Sequence, residues 1–202
     1  MNTKDKIMQD AFELMLSKKC VDLSVNDIIK ELKLTKGGFY YYFRSRDDLM
    51  NQIIENLMLE SAKEVLRNVV SSVYCDLSVK ERLESLFYII PRAAFKCEEG
   101  NKRFYDIKNY LLVFYGLLDK YPLLADGYKK IYEQNASYIK EILDDGIERG
   151  VIKDRVNSEF YSHMFLAIRD GILTLNMIDS NVDIEEKLKV SFETVWNDMA
   201  VR

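Results

Sequence analysis

Apolar residues recur at helical spacing along almost the whole chain, and the breaks between runs carry capping residues. In residues 3–19, Ile7, Ala11, Leu14 and Met15 share one face, with Thr3 placed as N-cap and Lys18 and Lys19 complementing the C-terminal dipole. Ser24 followed by Asp27 opens a second segment whose apolar face, Val25, Ile28, Ile29 and Leu32, lasts barely two turns. Thr35 opens a third, also short, in which Leu34, Phe39 and Phe43 can reach a core. Ser45, with Asp48 three positions on, begins a long helix predicted over 46–72 through Leu49, Ile53, Leu57, Val65 and Val69.

The second half continues in the same way. Ser78 and Glu81 form a full capping-box pair, and Pro91 is expected to kink or break the helix they start. Helices follow near 101–119, 122–149 and 157–179, with Pro122 at a first helical position, Gly150 as a C-terminal cap and Asn157 or Ser158 as the next N-cap. Asp183 with Glu186 caps a last helix that ends near residue 200. No repeat, low-complexity tract or linker interrupts the series.

Composition narrows the class. With 48% apolar residues in 202, a real core is available, and only 8 Gly and 2 Pro leave little material for the turns of a β protein. The expected fold is all-α, with about nine or ten helices. No apolar run approaches the roughly 20 residues of a membrane span, and the amphipathic N-terminus does not resemble a signal peptide, so a soluble, cytoplasmic protein without a membrane partner is expected. Cys20, Cys75 and Cys97 are odd in number and widely spaced, which suggests neither a disulfide framework nor a zinc site.

The net charge of −4 hides an uneven distribution. Residues 30–46 hold Lys30, Lys33, Lys36, Arg44 and Arg46 against the single acid Glu31, a basic stretch in an acidic protein. Two short helices joined by a tight turn and packed on a longer first helix form a helix-turn-helix, whose second helix enters the DNA major groove. Here that second helix begins with Thr35, Lys36, Gly37 and Gly38, which bring an amide-rich end and a cation close to a phosphate-bearing partner. The alternative makes the glycines turn residues and the tyrosines core. Yet Tyr40, Tyr41 and Tyr42 span about 200° of a helix surface, so at least one must turn outward, where its hydroxyl suits phosphate.

The run Thr35-Lys36-Gly37-Gly38-Phe39-Tyr40-Tyr41-Tyr42-Phe43-Arg44-Ser45-Arg46-Asp47-Asp48-Leu49 resembles the signature of TetR-type transcriptional regulators, approximately S-K-G-T-L-Y-Y-H-F-K-S-K-E-D-L. The resemblance covers roughly residues 3–50. It implies a DNA-binding helix-turn-helix domain over 1–46 and a helical ligand-binding and dimerisation domain over 47–202. By position it implies that Thr35 caps the recognition helix and that Lys36, Gly37 and Gly38 lie at its base-reading start. It further implies that Tyr40, Tyr41, Tyr42 and Arg46 meet backbone phosphates, with Ser24 and Asn26 at the start of the second helix also touching DNA. The sequence departs from the family at Cys20, where a glycine usually ends the first helix, and at Leu32-Lys33, which replaces Ala-Gly in the turn.

The same resemblance implies an effector pocket within 75–180 and a homodimer through the helices near 122–149 and 157–179. The effector-site candidates are Phe87, Tyr88, Phe95, Tyr110, Phe114 and His163, and their aromatic density leads to the expectation of a small apolar or aromatic effector. His163 also reads as a satisfied structural residue, and Gly171 either serves a close helix contact or is indifferent. A lone histidine, no Glu-x-x-His motif and no phosphate loop leave no catalytic constellation, no metal site and no cofactor to expect. The expected function is a ligand-responsive repressor, released as a homodimer from a palindromic operator. The alternative is a helical interaction module or small-molecule-binding protein that has lost DNA binding.

Overall fold

Side chains beside the backbone set the helix starts in the computed structural model, which describes residues 2–73, 77–88 and 107–201. Helix α1 (Thr3–Lys18) is capped by Asn2, whose Oδ1 accepts the Asp5 N–H at 2.9 Å while Asp5 accepts the Asn2 N–H. The cap therefore lies one residue before the expected Thr3. Asp5 can return a carboxylate to Asn2, whereas Thr3 would face Lys6, which has nothing to accept with. Ser24 and Asp27 complete a full reciprocal box at α2 (Val25–Glu31), and Thr35 and Ser45 cap α3 (Lys36–Tyr42) and α4 (Arg46–Ile53).

The expected rod over 46–72 is helical but not regular. After α4 comes a π-helical turn, Ile54–Leu59, and then α5 (Glu60–Val73). A π turn admits one extra residue and rotates everything after it, so the buried set becomes Ile53, Ile54, Met58, Leu59 and Leu66. Leu57, Val65 and Val69, expected on the core face, are only half-buried.

Helix α6 (Val79–Phe87) starts from the Ser78–Glu81 box. It is followed by α7 (Ile107–Leu118), α8 (Pro122–Glu148), α9 (Ser158–Ile178, capped by Asn157) and α10 (Ile184–Met199, capped by Asp183). Gly150 takes the left-handed φ of +66° that ends α8. The one extended pairing among the described residues is a single bridge, Ile152 to Ala200. The expected break at Pro91 lies outside the described residues, as do Phe95, Cys75 and Cys97.

The chain divides into two compact units, one taking the described residues of 1–62 and 105–129, the other those of 63–104 and 130–202. In the first, Phe12, Met15, Ile28, Phe39, Phe43, Leu49 and Ile53 form a closed core beneath the three N-terminal helices. Helix α7 joins α1 there, with the Tyr110 ring edge-on to Phe12 and stacked on Phe114, which meets Tyr128 at 4.5 Å. Gly127 permits the approach of α8 to the π turn, since a Cβ at that position would lie 2.5 Å from a Leu59 methyl. In the second unit α6, α9 and α10 enclose Phe87, Phe165 and Phe192, whose rings lie 5.5–5.9 Å apart. An ion pair from Arg82 to Asp145 ties α6 to α8. Among the described residues no helix is long and apolar enough to cross a membrane.

Candidate nucleic-acid interface

Helix α3 divides its residues between a buried and an exposed face. Phe39 is fully buried and Phe43, just beyond the helix, nearly so, while Tyr41 is 81% exposed, Tyr40 47% and Tyr42 half-buried. A seven-residue helix has little stability of its own; the two buried phenylalanines anchor it in the core of the first unit and so turn the tyrosines outward. The rings support one another, Tyr41 against Tyr42 at 4.8 Å and Tyr40 against Phe39 at 5.3 Å, both edge-on.

The N-terminal end is bare. Thr35 Oγ1 accepts the Gly38 N–H at 2.9 Å, Lys36 and Gly37 are exposed, and nothing lies within 4 Å of where a Gly37 Cβ would stand. A Cβ on Gly38 would come within 3.0 Å of the Thr35 hydroxyl that caps the helix, so glycine there protects the cap. The preceding turn holds Lys33 at φ +53°, and Lys19 after α1 sits at φ +51°. Each places a side chain in the left-handed region at a cost of about 1 kcal/mol. The glycine-free turns noted in the sequence thus keep the left-handed geometry, and the one after α1 falls on Lys19 rather than Cys20.

Beside the tyrosines lies a cavity of about 310 Å³ lined by Lys4, Tyr40, Tyr41, Tyr42, Phe43, Arg44, Asp48 and Gln52. Lys4 reaches it from the first turn of α1, its Nζ 5.8 Å from the centre of the Phe43 ring. The one acid in this lining is committed: Asp48 accepts the Arg44 N–H at 2.7 Å and the Gln52 amide at 2.8 Å, which hold its carboxyl below the usual range. The cations Lys4 and Arg44 and three phenols therefore surround a carboxylate that stays ionised and is already hydrogen-bonded. Lys4 was not legible as part of this face, because nothing local relates residue 4 to residues 40–44.

Residues 7–53 match the family of bacterial regulatory proteins of the tetR type. The chain is also 29% identical to an HTH-type transcriptional regulator from the lacX 3′ region of Lactococcus lactis subsp. lactis, over 96% of this chain and 95% of that one. It is 24% identical to the HTH-type transcriptional regulator YvdT of Bacillus subtilis (strain 168), over 91% and 89%. The chain carries a TetR-type DNA-binding domain. It is a DNA-binding transcriptional regulator, not an enzyme. Its fold is shared by a TetR transcription regulator from Haloarcula marismortui (TM-score 0.74, 20% identity, 98% of each chain). It is shared too by a transcriptional regulator from Saccharomonospora viridis solved in complex with choline (TM-score 0.76, 17% identity, 98% of each chain).

Within this regulator the other residues singled out in the sequence take different places. Asn26 is exposed in the first turn of α2. Ser24 is exposed too, but its hydroxyl donates to Asp27 at 2.6 Å and its backbone N–H at 2.9 Å, and these bonds hold the Asp27 carboxyl below its usual pKa range. Arg46 points into the protein. Its Nε donates to Leu23 O at 2.7 Å, Nη2 to Val21 O at 2.5 Å and Nη1 to the Tyr121 hydroxyl at 3.1 Å. Tyr121 in turn donates to Asp47 at 3.0 Å, and burial first, then that carboxylate, push its phenol pKa up. Arg46 thus pins the loop between α1 and α2 to the turn between α7 and α8, which Lys120 also holds through Asp22. Tyr121 lies 75 positions away in sequence, and no local pattern announces the pair.

The described effector-site candidates fall in both units. Tyr110 and Phe114 belong to the first unit. Phe87 is buried in the aromatic cluster of the second, with Tyr88 beside it and 6.4 Å from Phe192. His163 lies on the exposed face of α9, stacked on Tyr132 at 6.0 Å and 3.4 Å from Glu159.

Proposed function

We propose that this regulator works as a homodimeric repressor, held on a palindromic operator and released when a small molecule binds its C-terminal region. The observation that carries the DNA side is α3: a helix with its apolar residues anchored in a core and with Lys36, two glycines and three phenols presented outward. In a major groove, Lys36, Gly37 and Gly38, behind the Thr35 cap, meet base edges, while Tyr40, Tyr41, Tyr42, Lys4 and Arg44 meet phosphates. Asn26 and Ser24 approach the backbone at the start of α2. Arg46, committed to Val21, Leu23 and Tyr121, positions the domain instead of touching phosphate. Residues 1–46 then read DNA, and 47–202 bind effector and dimerise, in the cytoplasm where the operator lies.

The dimer reading rests on α9. Phe160 (62% exposed), Ala167, Gly171, Leu175 (54%) and Ile178 (78%) recur along one exposed stripe, and nothing stands within 4 Å of the position of a Gly171 Cβ. Such a stripe suits a second copy of the same helix, packed closely at the glycine. The expected partner helix α8 offers a more polar exposed face, with Lys130, Glu133, Gln134, Ser137 and Glu141, and belongs at the rim. Effector response is supported by the choline-bound neighbour, which shows this fold holding a small molecule. Release would be a population shift in recognition-helix spacing, and a 100-fold loss of operator affinity needs about 2.7 kcal/mol of differential effector affinity.

The test is fluorescence anisotropy against duplexes from upstream of the protein's own gene and its neighbour, at two salt concentrations. Sequence-dependent binding that weakens with salt, and that Lys36→Ala reduces by about tenfold or more without changing Tm, is expected. A folded dimer that binds every duplex alike, or none, would return the molecule to the interaction-module reading.

A further inference from the structure

The second unit buries a guanidinium that neither DNA binding nor dimerisation uses. Arg169, on α9, is 3% exposed and faces away from the Gly171 stripe, two positions and about 200° round the helix. Its Nε donates to Asp170 at 2.8 Å, but Nη1 is buried with no hydrogen-bond partner among the described residues. Asp170 is 42% exposed, so water screens that carboxylate while the inner edge of the guanidinium remains unanswered. On α8, Tyr132 feels both charges: burial first and the Asp170 carboxylate second raise its phenol pKa, and the Arg169 guanidinium opposes them. One turn further along the same face, Asn135 is 6% exposed, and its Oδ1 is also buried without a partner among the described residues.

A buried donor and a buried acceptor, both unmet on adjoining helices beside an aromatic ring, are strongly unfavourable, and a charged donor most of all. Guanidinium edges are matched by carboxylate oxygens, and an aromatic wall by an apolar or aromatic body. We propose that Arg169, with Asn135 and Tyr132, forms the polar anchor of the effector site, and that the effector is a small aromatic or apolar monocarboxylate. Its carboxylate accepts from Arg169 Nη1, and a hydroxyl or N–H on the same molecule donates to Asn135 Oδ1. This rests on the effector-responsive reading above and replaces its unspecified apolar ligand with an anionic one.

The experiment is a thermal-shift and calorimetry series on the full-length protein, without DNA, using benzoate, phenylacetate and 4-hydroxybenzoate against their neutral partners benzamide, phenylacetamide and 4-hydroxybenzyl alcohol. The acids are expected to raise Tm and to bind at least tenfold tighter than the neutral partners. Arg169→Met should abolish that preference while keeping the unliganded fold, and Arg169→Lys, which keeps the charge but loses the fork, should retain part of it. Acids and neutral partners that stabilise equally, no stabilisation by any acid, or an Arg169→Met protein that still prefers acids would each overturn the assignment. Because the readout needs no DNA, acids that bind through Arg169 but do not weaken operator binding would leave this site standing and remove the release mechanism instead.

Discussion

Helices α3 and α9 both expose large side chains that a protein ordinarily buries, and they expose them differently. On α3 the exposed apolar bulk is Tyr40 and Tyr41, rings with hydroxyls, beside Lys36, Lys4 and Arg44. On α9 it is Phe160, Leu175 and Ile178, with no polar atom at their tips. The first surface keeps its hydrogen-bonding capacity when a wet, charged partner arrives; the second gains only from a dry one. Exposure alone therefore does not distinguish a DNA face from a protein face. The polarity at the ends of the exposed side chains, and the charge around them, does.

The largest effect expected from testing this contrast lies under α3. Phe39→Ala empties a fully buried position and should cost about 3–5 kcal/mol, with loss of DNA binding read in the same thermal melt and anisotropy series. A stable Phe39→Ala protein that still bound operator would mean that α3 does not depend on its anchors. Next, Leu175→Asp with Ile178→Asp should turn the proposed dimer into a monomer by sedimentation, a shift of roughly 3 kcal/mol or more in association; a dimer unmoved by the pair would break the α9 half of the comparison. Tyr121→Phe removes the hydroxyl that joins Arg46 to Asp47 and should lower stability by about 1–2 kcal/mol in a urea melt. If Arg46 instead met phosphate freely, stability would hold. Tyr41→Ala should change stability by less than about 0.5 kcal/mol while weakening operator binding by roughly 1–2 kcal/mol. The reverse pattern would make Tyr41 a structural residue.

The smallest expected effect is on pH. Asp27, Asp48 and Glu81 are held below their ordinary pKa by hydrogen bonds at helix starts. A depressed folded pKa adds stability that is complete above the unfolded value and is lost as pH falls through the folded one, so Tm should decline from about pH 4 downward. Asp27→Asn should flatten that decline slightly. A decline that begins near neutrality would show that other groups dominate.

Much of the fold was legible because its signals are local. Ser24 with Asp27, Thr35, Ser45, Ser78 with Glu81, Asn157 and Asp183 each bond to a backbone amide three residues on, so a reader of the chain can place those helix starts without knowing what packs where. The misplaced start at Thr3 is a failure of the same local kind, corrected by the partner at residue 5. Leu57 is different: the π turn over Ile54–Leu59 shifted the buried face, and nothing in the apolar spacing signals an added residue.

The sequence by itself determined that this chain is helical, where most of its helices begin, and that residues 35–49 carry the signature of a DNA-binding regulator. Those properties follow from contacts spanning one helical turn and from the chemistry of side chains that face water. Only the tertiary structure decided which partners the long side chains take. It turned Arg46 inward to Tyr121, brought Lys4 beside the tyrosines, placed Tyr110 and Phe114 in the first unit, and left one nitrogen of the buried Arg169 without a partner among the described residues of the second. Each of these depends on a neighbour distant along the chain, and helical periodicity states which face a residue occupies but not what stands opposite it.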